Sequence, residues 1–317
     1  MKDRSAKNLR KSMDRGSVEQ GSRLHEHDGD IMTLATKEVI SVPPSTSIKE
    51  AAKKMEDHKC RRLPITDPGT EKLLGILTSM DILNFLGGGE KFNIMEEKHQ
   101  DNFLAAINEP IRQIMTRDVK FMTHKDSIVE CIIEMLNCDV GAFPIVDNDN
   151  NRKLVGIITE RDFVLAMAGV LTDELVEDFM TKKVITTTLG TPIEGSSKIM
   201  VRNRLRRIPV LGKEEKASHP EEKLVGIVTS NDILKFFADN KLFTKMESKS
   251  GLDILNRKIS EIMEKEVYTV EPSTRLEDLC NLLNEKDLGG VPVVENNEVL
   301  GIITEKDVLK AIRTTSK

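Results

Sequence analysis

A threonine followed three residues later by an aspartate, at the end of a short apolar run, occurs four times in this 317-residue chain. The pairs are Thr78/Asp81, Thr159/Asp162, Thr229/Asp232 and Thr304/Asp307, each preceded by Gly-Ile-(Leu/Ile/Val) from Gly75, Gly156, Gly226 and Gly301. A hydroxyl with an acid three positions on is the pattern of a capping box, and an acid in the first helical turn suits the helix dipole. The same groups can bind a ligand. A carboxylate held at a helix N-terminus accepts both hydroxyls of a ribose, and the free backbone N–H groups beside it favour a phosphate. The two intervening residues vary (Ser79-Met80, Glu160-Arg161, Ser230-Asn231, Glu305-Lys306) while Thr and Asp never become Ser, Asn or Glu. A cap alone would tolerate those exchanges.

The elements that must position these pairs repeat as well. The threonines lie 81, 70 and 75 residues apart, and each is preceded by an apolar-Pro-apolar step at Pro64, Pro144, Pro209 and Pro292. Proline to threonine is 14, 15, 20 and 12 residues, the difference falling in a polar turn that is longest at Gly212 to Lys223. Upstream come a methionine (Met32, Met115, Met180, Met263), a β-branched strand and an amphipathic helix. The strand spans Glu38 to Val42 in the first copy, and Val119, Val184 and Val267 begin its counterparts. Thr46, Asp126, Thr191 and Thr274 read as helix caps, with Glu50, Glu130, Glu194 and Glu277 in the first turn. One repeat is therefore strand, helix, strand, turn, strand, helix, an α/β (α+β) unit too small to make a core alone.

Composition sets the limits. Hydrophobic residues make up 38% of the chain, with ten Phe, one Tyr and no Trp, so cores must be built from Ile, Leu, Val and Met. The longest apolar run, Phe163 to Leu171, is far below the roughly twenty residues that span a bilayer. With no signal-peptide core either, a cytoplasmic protein without a membrane partner is expected. Cys60, Cys131, Cys138 and Cys280 form no Cys-x-x-Cys spacing and read as reduced thiols. Net charge is −5, yet the first 23 residues carry seven Lys or Arg against three acids. Residues 1–30 read as a basic flexible arm, in which Lys2, Arg4, Lys7, Arg10, Lys11 and Arg15 could touch phosphates of RNA. His25-Glu26-His27-Asp28-Gly29-Asp30 is dense in metal-type ligands but lies in this polar stretch, so no metal site is expected.

The recurring Gly-x-x-Thr-x-x-Asp, with Arg-Arg-apolar-Pro upstream, resembles tandem CBS domains, the family named after cystathionine β-synthase, over about Ile31 to Arg313. The resemblance implies repeats at 31–86, 111–170, 176–240 and 259–317, with linkers at 87–110, bearing an extra helix near Asn102 to Ile107, and at 241–258. It implies two pseudo-twofold modules in a flat disc, similar to the γ subunit of AMP-activated protein kinase and its archaeal relatives. The sequence supports the pairing by an alternation. Copies one and three carry Arg61-Arg62 and Arg206-Arg207 before their proline, where copies two and four carry Gly141-Ala142 and Gly289-Gly290.

The resemblance also implies that Asp81, Asp162, Asp232 and Asp307 hold ribose hydroxyls, with Thr78, Thr159, Thr229 and Thr304 beside them. Ser41, Thr186 and Thr269 match the adenine-facing position, where copy two departs with Phe121. Arg61, Arg62, Arg206 and Arg207, with Arg161 and Lys306, match phosphate-facing positions. The expected ligand is AMP, ADP or ATP, ahead of S-adenosylmethionine. No histidine pairs with a Ser or Cys in a nucleophile motif, and Gly87-Gly88-Gly89-Glu90-Lys91 lacks P-loop spacing, so no catalytic residue and no catalytic cofactor are expected. Two functions follow. One is a non-enzymatic regulator that reports adenine-nucleotide occupancy to a protein partner or through self-association, a homodimer included. The other is a tether or inactivating factor for a ribonucleoprotein such as the ribosome, gripping RNA with the basic arm.

Overall fold

A repeat with one apolar helix face and a two- or three-stranded sheet leaves its core open, and this chain closes each core with pieces of other repeats. The computed structural model describes residues 30–100, 102–167, 173–213, 222–239 and 252–315. In the first repeat, α1 (Ile48–Asp57) precedes the antiparallel pair β1 (Arg62–Thr66) and β2 (Leu73–Thr78), and β2 runs directly into α2 (Ser79–Leu83). The second holds β3 (Met122–Thr123), α3 (Ile128–Cys138), β4 (Ala142–Val146), β5 (Leu154–Thr159) and α4 (Glu160–Met167). The third holds β6 (Thr187–Thr188), α5 (Ile193–Asn203), β7 (Arg207–Lys213), β8 (Glu222–Thr229) and α6 (Ser230–Ala238). The fourth holds α7 (Leu276–Glu285), β9 (Gly290–Glu295), β10 (Glu298–Thr304) and α8 (Glu305–Thr315). No helix among the described residues is long and apolar enough to cross a membrane.

The expected first strand is nearly lost, and proline explains why. Val42 bridges Ile65 in parallel, its N–H donating to the Pro64 carbonyl at 3.1 Å while its carbonyl accepts from Thr66. Continuing this ladder upstream requires an N–H at residue 64, which proline lacks. Val270 stops in the same way against Pro292, while β3 and β6 extend for two residues each. The helix caps differ by one position. Ser47 and Ser127 cap α1 and α3 in full capping boxes with Glu50 and Glu130, while Pro192 and Arg275 precede α5 and α7. The expected caps are held by the preceding turns: Asp126 accepts from Thr123, and Thr274 Oγ1 accepts from the Glu271 N–H.

Helices pack across modules and opening turns pack across repeats. One core joins repeats one and three, where Ile48, Met55 and Leu83 meet Met200, Ile233 and Phe237. The other joins repeats two and four, through Ile132, Phe163, Leu279 and Leu309. Ile31, which opens the first repeat, is buried in the second core, whereas Ile111 and Ile114, opening the second repeat, are buried in the first. Val176 and Ile259 are exchanged likewise between repeats three and four. Backbone bonds fix the exchange, Ile48 N to Glu109 O and Val176 N to Thr274 O both at 2.9 Å. The extra turn of the first linker, Phe103–Ala106 capped by Asn102, docks Phe103 edge-on against Phe237, with ring centroids 6.0 Å apart.

The repeated glycine and the repeated methionine belong to one joint. A Cβ on Gly226 would lie 2.6 Å from Met263 Sδ and 2.9 Å from the Glu264 carbonyl, and one on Gly301 would lie 2.6 Å from Met180 Sδ. Gly75 meets Met115 and Thr116, and Gly156 meets Met32 and Thr36. Each methionine comes from the partner repeat of the same module, so one joint runs in each direction. Backbone bonds alongside, such as Ile227 with Glu264 at 2.9 Å both ways, allow no retreat. Gly226→Ala is expected to destabilise the chain by about 1–3 kcal/mol through overpacking. Thermal or denaturant unfolding of the purified variant measures this, and an unchanged midpoint would disprove the joint.

Candidate functional site

Each Thr-Asp pair stands where a hairpin strand turns into a helix, and the capping geometry is real. The Thr78 N–H and hydroxyl both donate to Asp81 Oδ2 at 2.7 Å, and the Asp81 N–H donates back to Thr78 Oγ1 at 3.2 Å. The other three pairs repeat the two bonds to Oδ2 at 2.7–3.0 Å. The cap uses only one carboxylate oxygen, so the second decides what the site can do. Asp81 Oδ1 is bonded by Lys91 Nζ, and Asp307 Oδ1 by Lys310 Nζ at 2.7 Å. Among the described residues the Oδ1 atoms of Asp162 and Asp232 meet no such lysine. Burial lifts both carboxyls above the ordinary aspartate range, against the lowering effect of their threonine bonds.

Four clefts surround these pairs. One of about 440 Å³ includes Thr229 and Asp232, one of about 670 Å³ Thr78 and Asp81, and one of about 270 Å³ Thr304 and Asp307. The fourth, about 280 Å³, includes Thr159, while Asp162, half-buried, is not among its lining residues. Each is walled by the unpaired segment ahead of a first strand, namely 38–40, 118–120, 183–185 and 266–268. Ser41, Thr186 and Thr269 follow these segments and line none of the four clefts; Ser41 Oγ instead accepts from Thr66 Oγ1 at 3.1 Å. Phe121 lies under the Arg152 guanidinium, 4.9 Å from the ring centroid. Tyr268, 45% exposed, walls the Asp232 cleft.

The expected basic residues converge on one centre. Arg61 and Arg206 each line three clefts, and Arg62, Arg207 and Lys306 each line two. The glycine alternation follows from this. A Cβ on Gly141 would lie 2.5 Å from terminal nitrogens of both Arg62 and Arg206, and one on Gly289 would lie 2.5 Å from Arg207 Nη2. Gly290, at φ +149°, passes under Arg207 where a side chain would be strained as well as crowded. Two buried glutamates face the arginines: Glu160 accepts from Arg206 at 3.0 Å and Glu305 from Arg161 Nε at 2.7 Å. Arg161 also bonds the exposed Asp287, and Lys306 bonds Asp139. Opposite the glutamates, Ser79 Oγ donates to Ser230 Oγ at 3.3 Å.

The charges of this hub do not balance. Burial, then the neighbouring Arg206, pushes Arg62 down to about 9, and burial, then Arg61, pushes Arg207 down to about 9. Burial would raise Glu305, yet Arg61 and Arg161 hold it below the usual carboxylate range. Cations desolvated together are penalised until a negative group joins them, so the centre favours an incoming anion. Sequence reasoning passed over Glu160 and Glu305 as hub members, although their presence only in the glycine-bearing copies is the signal that marks them. Residues 1–29, with Lys2, Arg4, Lys7, Arg10, Lys11 and Arg15, lie outside the described residues. Among the described residues no group of three or more His, Cys, Asp or Glu could hold a metal ion.

Exchanged repeats with clefts at their sheet-to-helix corners define a tandem-repeat protein. The CBS domain profile matches residues 29–88, 111–169, 176–239 and 259–314, and the chain belongs to that family. It is 40% identical over 283 residues to protein MJ1225 of Methanocaldococcus jannaschii, covering 88% of this chain and 98% of that one. The crystal structure of MJ1225, described there as a proposed archaeal homolog of γ-AMPK, matches with a TM-score of 0.83 at 39% identity, over 89% of this chain and 99% of its own. A conserved protein of Pyrococcus horikoshii shares the fold at 20% identity and a TM-score of 0.55, over 89% and 99% of the two chains. A 33.4 kDa protein encoded in the ribosomal RNA operon of Thermofilum pendens is 25% identical over 84% of this chain and 86% of its own.

Glu160→Ala removes the carboxylate bonded to Arg206 and deepens the positive excess. A loss of about 1.5–3 kcal/mol is expected, the range for a hydrogen bond to a charged group. Added sulfate should recover part of it. Differential scanning calorimetry with and without sulfate checks both, and a loss indifferent to the anion would rule out an electrostatic origin.

Proposed function

We propose that this chain is a non-catalytic adenine-nucleotide-binding regulatory protein: nucleosides enter the Thr-Asp clefts, phosphates enter the arginine hub, and occupancy is transmitted to a protein partner. The observation carrying this reading is the convergence of four clefts, three of them lined by a Thr-Asp carboxylate, on shared arginines that are desolvated together. A ribose diol suits a half-buried carboxylate already oriented by two bonds, because the acceptor needs no further ordering. A phosphate brings the hub the negative charge that Arg62 and Arg207 lack. AMP, ADP and ATP satisfy both ends, whereas S-adenosylmethionine presents a sulfonium cation to a cationic centre.

Transmission follows from sharing. Arg61 and Arg206 border three clefts each, so a ligand that draws either guanidinium towards one cleft changes the field in the others. The same hub ties the two modules together, and a partner that senses their relative position must in turn alter nucleotide affinity by the same factor.

Isothermal titration calorimetry with AMP, ADP and ATP tests the reading directly, and no heat with any of the three would refute it. Asp232→Ala should weaken AMP at its cleft by roughly 10- to 150-fold, the loss of charge-assisted bonds of about 1.5–3 kcal/mol. A second test uses pH. Because burial raises the Asp232 pKa above the ordinary 3.8, the ionised acceptor is lost as pH falls through that raised value. Adenosine has no phosphate to titrate, so its affinity should decline on acidification with a midpoint above 3.8, and a midpoint at or below it would contradict the assignment.

A further inference from the structure

The four carboxylates are not equally available. Among the described residues the second oxygen of half-buried Asp162 and Asp232 carries no lysine, whereas Asp81 and Asp307 are buried with a lysine on theirs. The two lysines differ. Lys310 sits three residues after Asp307 on α8, is 47% exposed, and bonds only that carboxylate. Lys235, at the same offset from Asp232, makes no bond to it, so this position is a surface lysine free to swing. Lys91 is held. It comes from the linker between repeats one and two, and its ammonium bonds Asp81 Oδ1 and the Ile114 carbonyl together. Its backbone N–H donates to Asn84 Oδ1 at 2.8 Å, and Asn84 Oδ1 also crowds Gly89. The turn Glu90–Phe92 that carries it is thus clamped to the segment that continues α2, the helix bearing Asp81.

The cleft around Asp81 is the most spacious of the four, and its first-strand segment ends differently from that of the Asp232 cleft. Where the Asp232 cleft presents Tyr268 at the tip of its first-strand segment, the Asp81 cleft presents Lys120, whose ammonium contacts Cys138 Sγ at 2.9 Å. A ribose arriving there meets a carboxylate with both oxygens taken: Oδ2 by Thr78, Oδ1 by Lys91.

Resting on the nucleotide reading above, we propose that Lys91 determines which clefts accept a nucleoside: it occupies Asp81 in place of a ribose diol, and the Asp81 cleft fills only when the linker withdraws it. Among the described residues no other repeat shows this device; residues 240–251, which follow the helix bearing Asp232, lie outside them. The Asp81 cleft is then a conditional site, silent in nucleotide titrations of the resting chain and opened by whatever displaces residues 87–110.

The test is the molar ratio of AMP bound per full-length chain, measured by calorimetry and by native mass spectrometry, with thermal melts confirming that each variant folds. Asp81→Asn, which keeps a capping side chain, should leave the ratio of the native chain unchanged. Lys91→Met should raise it by one, Lys91→Arg should not, and Lys91→Met combined with Asp81→Asn should return it to the native value. A lower ratio in Asp81→Asn alone, or no gain in folded Lys91→Met, overturns the latch. Should Lys91→Met fail to fold, the single Asp81→Asn comparison decides the matter. A native chain that binds no AMP, ADP or ATP refutes the nucleotide reading itself, and the latch falls with it; native binding with an unmoved ratio refutes the latch alone.

Discussion

Four arginines from two repeats, pressed against glycines of the other two and answered by only two buried glutamates, are the constraint on which this structure turns. Arg62 and Arg206 fill the space a side chain at residue 141 would need, and Arg207 fills that at residues 289 and 290. The alternation of copies is therefore a steric requirement: a repeat can carry the Arg pair only if the repeat facing it carries none. Glu160 and Glu305 keep the cluster foldable without neutralising it, which leaves a centre stable enough to form and still short of negative charge. Such residual frustration is expected at functional sites and seldom elsewhere.

The exchange of opening turns gives that centre its rigidity. Because Ile31 lies in the core of repeats two and four and Ile111 in that of one and three, no repeat can shift without disturbing both cores. The glycine–methionine joints lock the two hairpins of a module in register, and the helix cores join one module to the other. Among the described residues, the cleft walls ahead of each first strand and the linker bearing Lys91 lie outside the ladders. Those are the segments a ligand would touch.

Much of this was legible in the sequence, and the parts that were not share a cause. The hairpin strands, the amphipathic helices and the capping role of Thr-x-x-Asp follow from short-range patterns, and a glycine repeated inside an apolar strand at 75, 156, 226 and 301 signals that something approaches closely. What they approach was hidden, because the Met partner sits in another repeat at no fixed distance in sequence. The first strand was overread: β-branched residues at 38–42 satisfy strand propensity, but pairing depends on a donor that Pro64 cannot supply. Ser41, Thr186 and Thr269 were placed by resemblance one step beyond the segments that wall the clefts, a distinction only the end of pairing reveals. Lys91 was unreadable, since three successive glycines let the chain bend without fixing the direction in which the following side chain is thrown.

The hub also bears on how four clefts in one chain would differ. Were each cleft supplied with its own arginines, four identical sites would follow from four identical motifs. Sharing prevents this, since a phosphate near Arg61 lowers the positive potential felt in three clefts at once. On the proposed reading, the first anion binds where a cleft carboxylate carries no described lysine, at Asp232, and each one bound reduces the attraction left for the next. A site whose carboxylate is latched, such as Asp81, then stands last in that order on two independent grounds. Repetition built four matching corners, and the single charge centre they surround makes them unequal.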